Sequence, residues 1–176
     1  MLQSMPSNIE IKARLRDVAR TQQLAATISD TPVERIEQHD TFYHAVHGRL
    51  KLRKFTPQDG VLIQYHRPDT AGTKQSTYFL APTQDPEALH EVLAAALGVR
   101  QVVVKTRLLY MKGQTRIHLD MVEGLGSFLE LEVVLREGQS PEEGHANARE
   151  LMTALEIPDA DLLEGAYADL LPQVTR

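Results

Sequence analysis

Cations and carboxylates recur at every second residue along several short segments of this 176-residue chain. In residues 8–16 (NIEIKARLR), Asn8, Glu10, Lys12, Arg14 and Arg16 alternate with Ile9, Ile11, Ala13 and Leu15. Residues 49–55 (RLKLRKF) set Arg49, Lys51 and Arg53 against Leu50 and Leu52. Ile63, Tyr65 and Arg67 form another set, followed by Lys105 with Arg107, then Arg116, His118 and Asp120, then Glu130 with Glu132. A spacing of two puts each set on one face of a strand. Arginine and lysine grip phosphate oxygens. Clustered carboxylates hold hard cations such as Mg²⁺ or Mn²⁺, which in turn bridge phosphates. Together the two kinds of set point to a highly charged anion bound with a divalent metal.

Other chemistries lack their residues. There is no cysteine, which removes disulfides, thiolate metal sites and cysteine nucleophiles, and which suits a cytoplasmic location. Seven histidines invite a zinc reading, but no HExxH is present, and His44 and His47 stand near a turn without a carboxylate motif. Gly124 and Gly126 do not make a dinucleotide fingerprint, and no GxSxG supports a serine nucleophile. A net charge of −5 and a pI of about 5.8 argue against a general nucleic-acid binder. No apolar run reaches the ~18 residues of a membrane helix, and residues 1–7 lack the build of a signal peptide.

The elements that must carry these side chains can be read from periodicity and punctuation. Strands are predicted over 8–16, 34–46, 49–55, 61–67, 74–81, 99–111, 114–122 and 127–136. Helices are predicted over 18–28 behind Asp17, over 85–97 with Pro86 in the first turn, over 141–155 and over 161–171. Short turns join most strands, so the sheet is expected to be antiparallel. A leader at 1–7, one domain over 8–171 and a tail at 172–176 complete the expected organisation.

Taken singly, each charged face reads as a solvated outer surface. Taken together they do not, because one strand is almost purely cationic while another carries two adjacent carboxylates. Four helices also need apolar partners, and the apolar strand faces supply them. The charged faces then point inward, into a closed barrel of about eight strands, which has room for side chains or one small ligand. Such an interior requires water, metal and an anionic ligand to balance its charges.

The same residues resemble the CYTH superfamily of triphosphate tunnel metalloenzymes. Residues 8–12 (NIEIK) are similar to its ExExK signature, with Asn8 at the first acidic position. QHDTFY (38–43), GRLKLR (48–53), LIQYHR (62–67), VKTR (104–107), RIHLD (116–120), VEGLG (122–126) and FLELEV (128–133) follow in the family's order, and the set looks closest to the class IV adenylyl cyclase-like branch, beside thiamine triphosphatases. The resemblance implies an α+β fold: an eight-stranded antiparallel tunnel with helices outside. It implies Glu10, Asp120, Glu130 and Glu132 as ligands of Mg²⁺ or Mn²⁺. It implies Lys12, Lys51, Arg53, Arg67, Lys105, Arg107 and Arg116 as phosphate contacts, with Lys12, Glu10 and Glu132 closest to the chemistry. The implied substrate is a triphosphate: ATP converted to cyclic AMP and pyrophosphate, or tripolyphosphate, thiamine triphosphate or a nucleoside triphosphate hydrolysed. Non-catalytic binding of a nucleotide or polyphosphate is a further alternative. A homodimer is implied by the resemblance alone; neither nucleic acid nor membrane is an expected partner. Asn8 brings an amide oxygen but no charge, which weakens the case for a second metal.

Overall fold

A computed structural model of the chain describes residues 7–68 and 72–172. The expected leader and tail fall outside these residues, except for Ser7 and Pro172, as does most of the turn expected around residues 68–72. Eight strands form the framework: β1 (Ser7–Arg14), β2 (Glu34–Tyr43), β3 (Arg49–Thr56), β4 (Asp59–His66), β5 (Lys74–Thr83), β6 (Val99–Lys112), β7 (Thr115–Val122) and β8 (Gly126–Val134). They close into a barrel in the order β1-β5-β4-β3-β2-β6-β7-β8, and every pairing is antiparallel. Closure leaves no free sheet edge.

Strand alternation sets two opposite environments. Ile9, Ile11 and Ala13 of β1, Ile117 and Leu119 of β7, and Leu129, Leu131 and Val133 of β8 point outward and are fully buried under helices. Each such Ile, Leu or Val side chain contributes roughly 1.5–3 kcal/mol on burial. The main apolar core therefore lies outside the barrel wall. Helices α1 (Val18–Ile28) and α3 (Pro141–Ala154) cover it, with Ala25, Ala148, Met152 and the adjoining Leu155 on the buried side. Asp17 caps α1 by accepting from the Arg20 N–H, and Ser140 and Glu143 form a reciprocal capping box on α3. Gly144 lets α3 lie close to β1: a Cβ there would meet Ile9 Cγ1 at 2.6 Å and Leu135 Cδ2 at 2.7 Å. A third helix, α2 (Pro86–Leu97), lies over β2, β3 and β4 behind an Asp85 cap.

The helix expected over 161–171 is the one element that differs in kind. A 3₁₀ turn (Asp159–Asp161) ends at Leu162, which pairs with Ala13, and only Tyr167–Leu170 is α-helical (α4). Gly165, at φ +71°, turns the chain between them, and Arg67 Nη2 donates to the Gly165 carbonyl at 2.7 Å. These contacts spread the segment across one end of the barrel instead of letting it coil. There Phe42, Val103, Val122 and Phe128 pack with Tyr167 and Ala168 in a second, smaller core. The ladder registers put the starts of β3, β6 and β8 at this capped end and the starts of β4 and β7 at the opposite mouth. Among the described residues, no helix is long and apolar enough to cross a membrane.

Candidate functional site

The barrel interior holds a cavity of about 270 Å³. That is below the roughly 300–1,000 Å³ of pockets that enclose a whole drug-sized molecule. Seven cations face it: Lys12 from β1, Lys51 and Arg53 from β3, Arg67 just past β4, Lys105 and Arg107 from β6, and Arg116 from β7. Four carboxylates face it as well: Glu10, Asp40, Glu130 and Glu132. The seven cations that the resemblance implies as phosphate contacts thus converge on one space. Toward the open mouth the wall becomes apolar, with Val61, Ile63, Tyr78 and Leu80 from β4 and β5.

The charges are wired to one another. Lys12 Nζ donates to Glu130 Oε1 at 3.0 Å and lies 3.6 Å from the Tyr167 ring centroid. Arg107 Nη2 reaches Glu130 Oε2 at 2.6 Å and Asp120 Oδ2 at 2.7 Å, so one guanidinium separates the two carboxylates. Asp120 also accepts from Arg107 Nε (2.6 Å), Lys105 Nζ (2.8 Å) and the Tyr167 hydroxyl (3.0 Å). Arg67 Nη1 donates to Glu10 Oε2 at 2.6 Å. Arg116 is the outermost, half-exposed and 3.5 Å from Glu132.

Asp40 was not singled out from sequence, yet it organises one wall. Its two oxygens accept from Arg53 Nε (2.7 Å), Arg53 Nη2 (2.7 Å) and Lys51 Nζ (2.8 Å), and it is 2% exposed. Its neighbours at spacing two are Gln38 and Phe42, so its strand shows no run of charge. Only the period-two position within QHDTFY could have marked it. Tyr167 was missed for another reason: it enters the interior from the far end of the sequence. Arg14 and Arg16 continue the charged alternation of β1 but do not reach the cavity. Arg14 stacks over Phe128, and Arg16, 74% exposed at its side chain, pairs with Asp161 outside. Arg49 lies at the capped end, paired with Asp169.

Burial and charge set the protonation. Burial opposes ionisation of Asp40, but Arg53 and Lys51 overcome it and hold the carboxyl well below its ordinary value. Against the same burial, Arg107 and Lys105 lower Asp120, Lys12 lowers Glu130 and His118 lowers Glu132. Glu10 goes the other way: burial, reinforced by Glu130 and Glu132, raises it despite Arg67. Burial, then Arg107, pull Lys105 down from 10.5 to about 7, more than Asp120 restores.

Ligand atoms of His118, Glu130 and Glu132 all lie within 4.8 Å of one another, near enough to share one cation. Glu10 is opposite Glu132 on the β1–β8 ladder, and Asn8 is one inward position further toward the mouth. Asn8 Oδ1 and His118 Nδ1 are buried without hydrogen-bond partners. Hard carboxylate oxygens and an unsatisfied amide oxygen are donors suited to Mg²⁺ or Mn²⁺. Asp120 stands apart from this group, its oxygens already occupied by Arg107, Lys105 and Tyr167.

The sequence matches the CYTH domain profile over residues 7–167. No curated protein matches it. Among solved structures, the PH1012 protein from Pyrococcus horikoshii OT3 superposes with a TM-score of 0.80 at 23% identity, covering 94% of this chain and 99% of that one. A Vibrio parahaemolyticus protein proposed to be an adenylate cyclase gives 0.74 at 18% identity, covering 96% and 98%. An adenylyl cyclase candidate from Hippeastrum with a dominant triphosphatase activity gives 0.61 at 16% identity, covering 90% and 91%. At these identities the likeness is one of fold.

Proposed function

The chain belongs to the CYTH domain family, and from that premise we propose that it is a divalent-metal-dependent enzyme acting on a triphosphate held in the bore. The leading reading is conversion of ATP to cyclic AMP and pyrophosphate. The observation that carries it is the enclosed interior itself, where seven cations and four carboxylates face one small cavity. Phosphoryl and nucleotidyl transfer depend on positioning and charge neutralisation more than on covalent chemistry.

Lys12, Lys51, Arg53, Arg67, Lys105, Arg107 and Arg116 hold the phosphate oxygens. Glu130 and Glu132, with His118 and Glu10 beside them, hold Mg²⁺ or Mn²⁺; Asn8 adds a neutral oxygen. A bound metal neutralises phosphate charge and lowers the pKa of an attached water or hydroxyl. Asp120 acts as the anchor that fixes Lys105, Arg107 and Tyr167. The apolar wall of Val61, Ile63, Tyr78 and Leu80 at the open mouth supports an organic group on the triphosphate over inorganic tripolyphosphate. With that group at the mouth, the terminal phosphates lie deepest, where Lys12 and Lys105 stabilise the leaving pyrophosphate. The α-phosphate then lies beside Glu132 and Arg116. Glu10, opposite Glu132 on the β1–β8 ladder, is the acceptor placed to take the 3′-hydroxyl proton.

Hydrolysis is the second reading. Asn8 removes one charge from the mouth, where cyclisation needs it, and the Hippeastrum protein of the same fold is chiefly a triphosphatase. Incubation with ATP, GTP, tripolyphosphate and thiamine triphosphate under Mg²⁺ and Mn²⁺, with product identification, separates the two. Cyclic AMP with pyrophosphate supports cyclisation. Orthophosphate without a cyclic product supports hydrolysis. Binding without any product under either metal overturns the enzymatic reading.

A further inference from the structure

A second cavity, of about 420 Å³, lies at the capped end beside the turn that joins β2 to β3. Arg49, Arg67, Arg100, His44 and His66 line it, and among the described residues no carboxylate does. Asp169 of α4 is not among the lining residues but binds two of these arginines. One Asp169 oxygen accepts from Arg49 Nη2 at 2.9 Å and the other from Arg100 Nη2. Arg67 forms the wall shared with the bore; its Nη atoms are committed to Glu10 and to the Gly165 carbonyl, while its buried Nε has no partner.

A carboxylate seated between two guanidinium groups is the complex an external oxyanion would make, since the same planar forks match carboxylate and phosphate. The helix of Asp169 has four residues, and the Asp169 Oδ2 accepts from the Ala166 N–H at 2.8 Å, so the same side chain caps the helix and pins it to the barrel. Two residues earlier stands Tyr167, whose hydroxyl binds Asp120 and whose ring lies beneath Lys12.

We propose that this cavity is a second oxyanion site, for inorganic phosphate or pyrophosphate, and that Asp169 is its built-in competitor. An anion that takes the two arginines displaces Asp169 and releases α4, loosening Tyr167 against the bore. The site stands on Arg49, Arg100 and Asp169 and needs no turnover. Phosphate from solution and pyrophosphate released within the bore share one chemistry, so binding must be measured with the bore both intact and disabled.

The test is calorimetric titration of the full-length chain with inorganic pyrophosphate, without metal, comparing wild type with Arg53→Ala, Arg100→Gln and Asp169→Asn. Two binding events are expected. Arg53→Ala weakens the bore event, and Arg100→Gln removes only the other, which in Arg53→Ala is filled from solution alone. Asp169→Asn tightens that other event about tenfold if Asp169 fills the seat about nine-tenths of the time. Amide exchange across residues 163–171, followed by mass spectrometry in Arg53→Ala, rises on saturation. Titrations left unchanged by both Arg100→Gln and Asp169→Asn, or exchange unmoved by pyrophosphate, overturn the proposal. If Asp169→Asn fails to fold, Arg100→Gln and the exchange measurement decide it. Failure of the bore reading appears separately, as an Arg53→Ala titration identical to wild type.

Discussion

Binding of a triphosphate should take up a proton through Lys105. This lysine is 3% exposed, and burial together with Arg107 lowers it from 10.5 to about 7. At pH 8 it is therefore protonated in only about one-tenth of the free molecules. Phosphate oxygens arriving beside it favour the ammonium form and return its pKa toward the ordinary lysine value near 10.4. Uptake at pH 8 then approaches 0.9 proton per site, on the order of one. Over pH 7.5–9.5 the affinity should fall about tenfold per unit, ~1.4 kcal/mol each. Metal-free ATP carries one terminal phosphate, whose last ionisation, with a pKa of about 6–7, is largely complete across that range. Calorimetry with metal-free ATP in buffers of differing ionisation enthalpy counts the proton directly. Lys51 is also lowered by its burial and by Arg53, so the slope must be assigned by substitution. Lys105→Met should bind weakly and with little pH dependence. A wild-type uptake near zero, or an undiminished slope in Lys105→Met, refutes the reasoning.

Glu132→Gln should abolish turnover of whichever triphosphate proves to be the substrate while leaving the melting temperature close to wild type, because Glu132 lies toward the mouth and its contacts with Arg116 (3.5 Å) and His118 Nδ1 (3.9 Å) are both long; full activity in this variant counts against its metal role. Asp40, Asp120, Glu130 and Glu132 are all lowered in the folded protein, so the unfolded chain binds more protons in acid; the stability they contribute is present above about pH 4–4.5 and is lost as pH falls below it, against the opposite but single effect of raised Glu10. Asp40→Ala should cost about 3–5 kcal/mol at neutral pH by leaving Lys51 and Arg53 buried without their partner and should flatten this acid limb, both read from denaturant melts across pH.

Much of the barrel was legible because period two is a strict signal. Lys51 and Arg53, or Glu130 and Glu132, cannot share a face without their apolar neighbours sharing the other, so the inward set followed once closure was assumed. All eight strands and the helices behind Asp17, Asp85 and Ser140 appear where punctuation placed them, within one or two residues except at the end of β2, which stops at Tyr43, three short of the expected 46. What stayed hidden depended on contacts across the chain. Periodicity cannot say where a strand stops facing the cavity, so Arg14 and Arg16 carried the same signal as Lys12. Asp120 shows a carboxylate on the inner face, but only the positions of Arg107, Lys105 and Tyr167 reveal that both of its oxygens already accept hydrogen bonds. The last helix had adequate composition over 161–171, yet Gly165 and the pull of Arg67 on its carbonyl outweighed local propensity.

The cap formed by Tyr167 and its neighbours turns the barrel into a blind alley. While that end stays shut, whatever enters must leave by the way it came, and traffic inside runs single file. A fragment severed near the lip departs first, and the piece lodged deepest must wait behind it. The inner fragment is then also the one that bars the next molecule from entering, so the pace of the whole cycle can be set by emptying the tube, however fast the bond breaks.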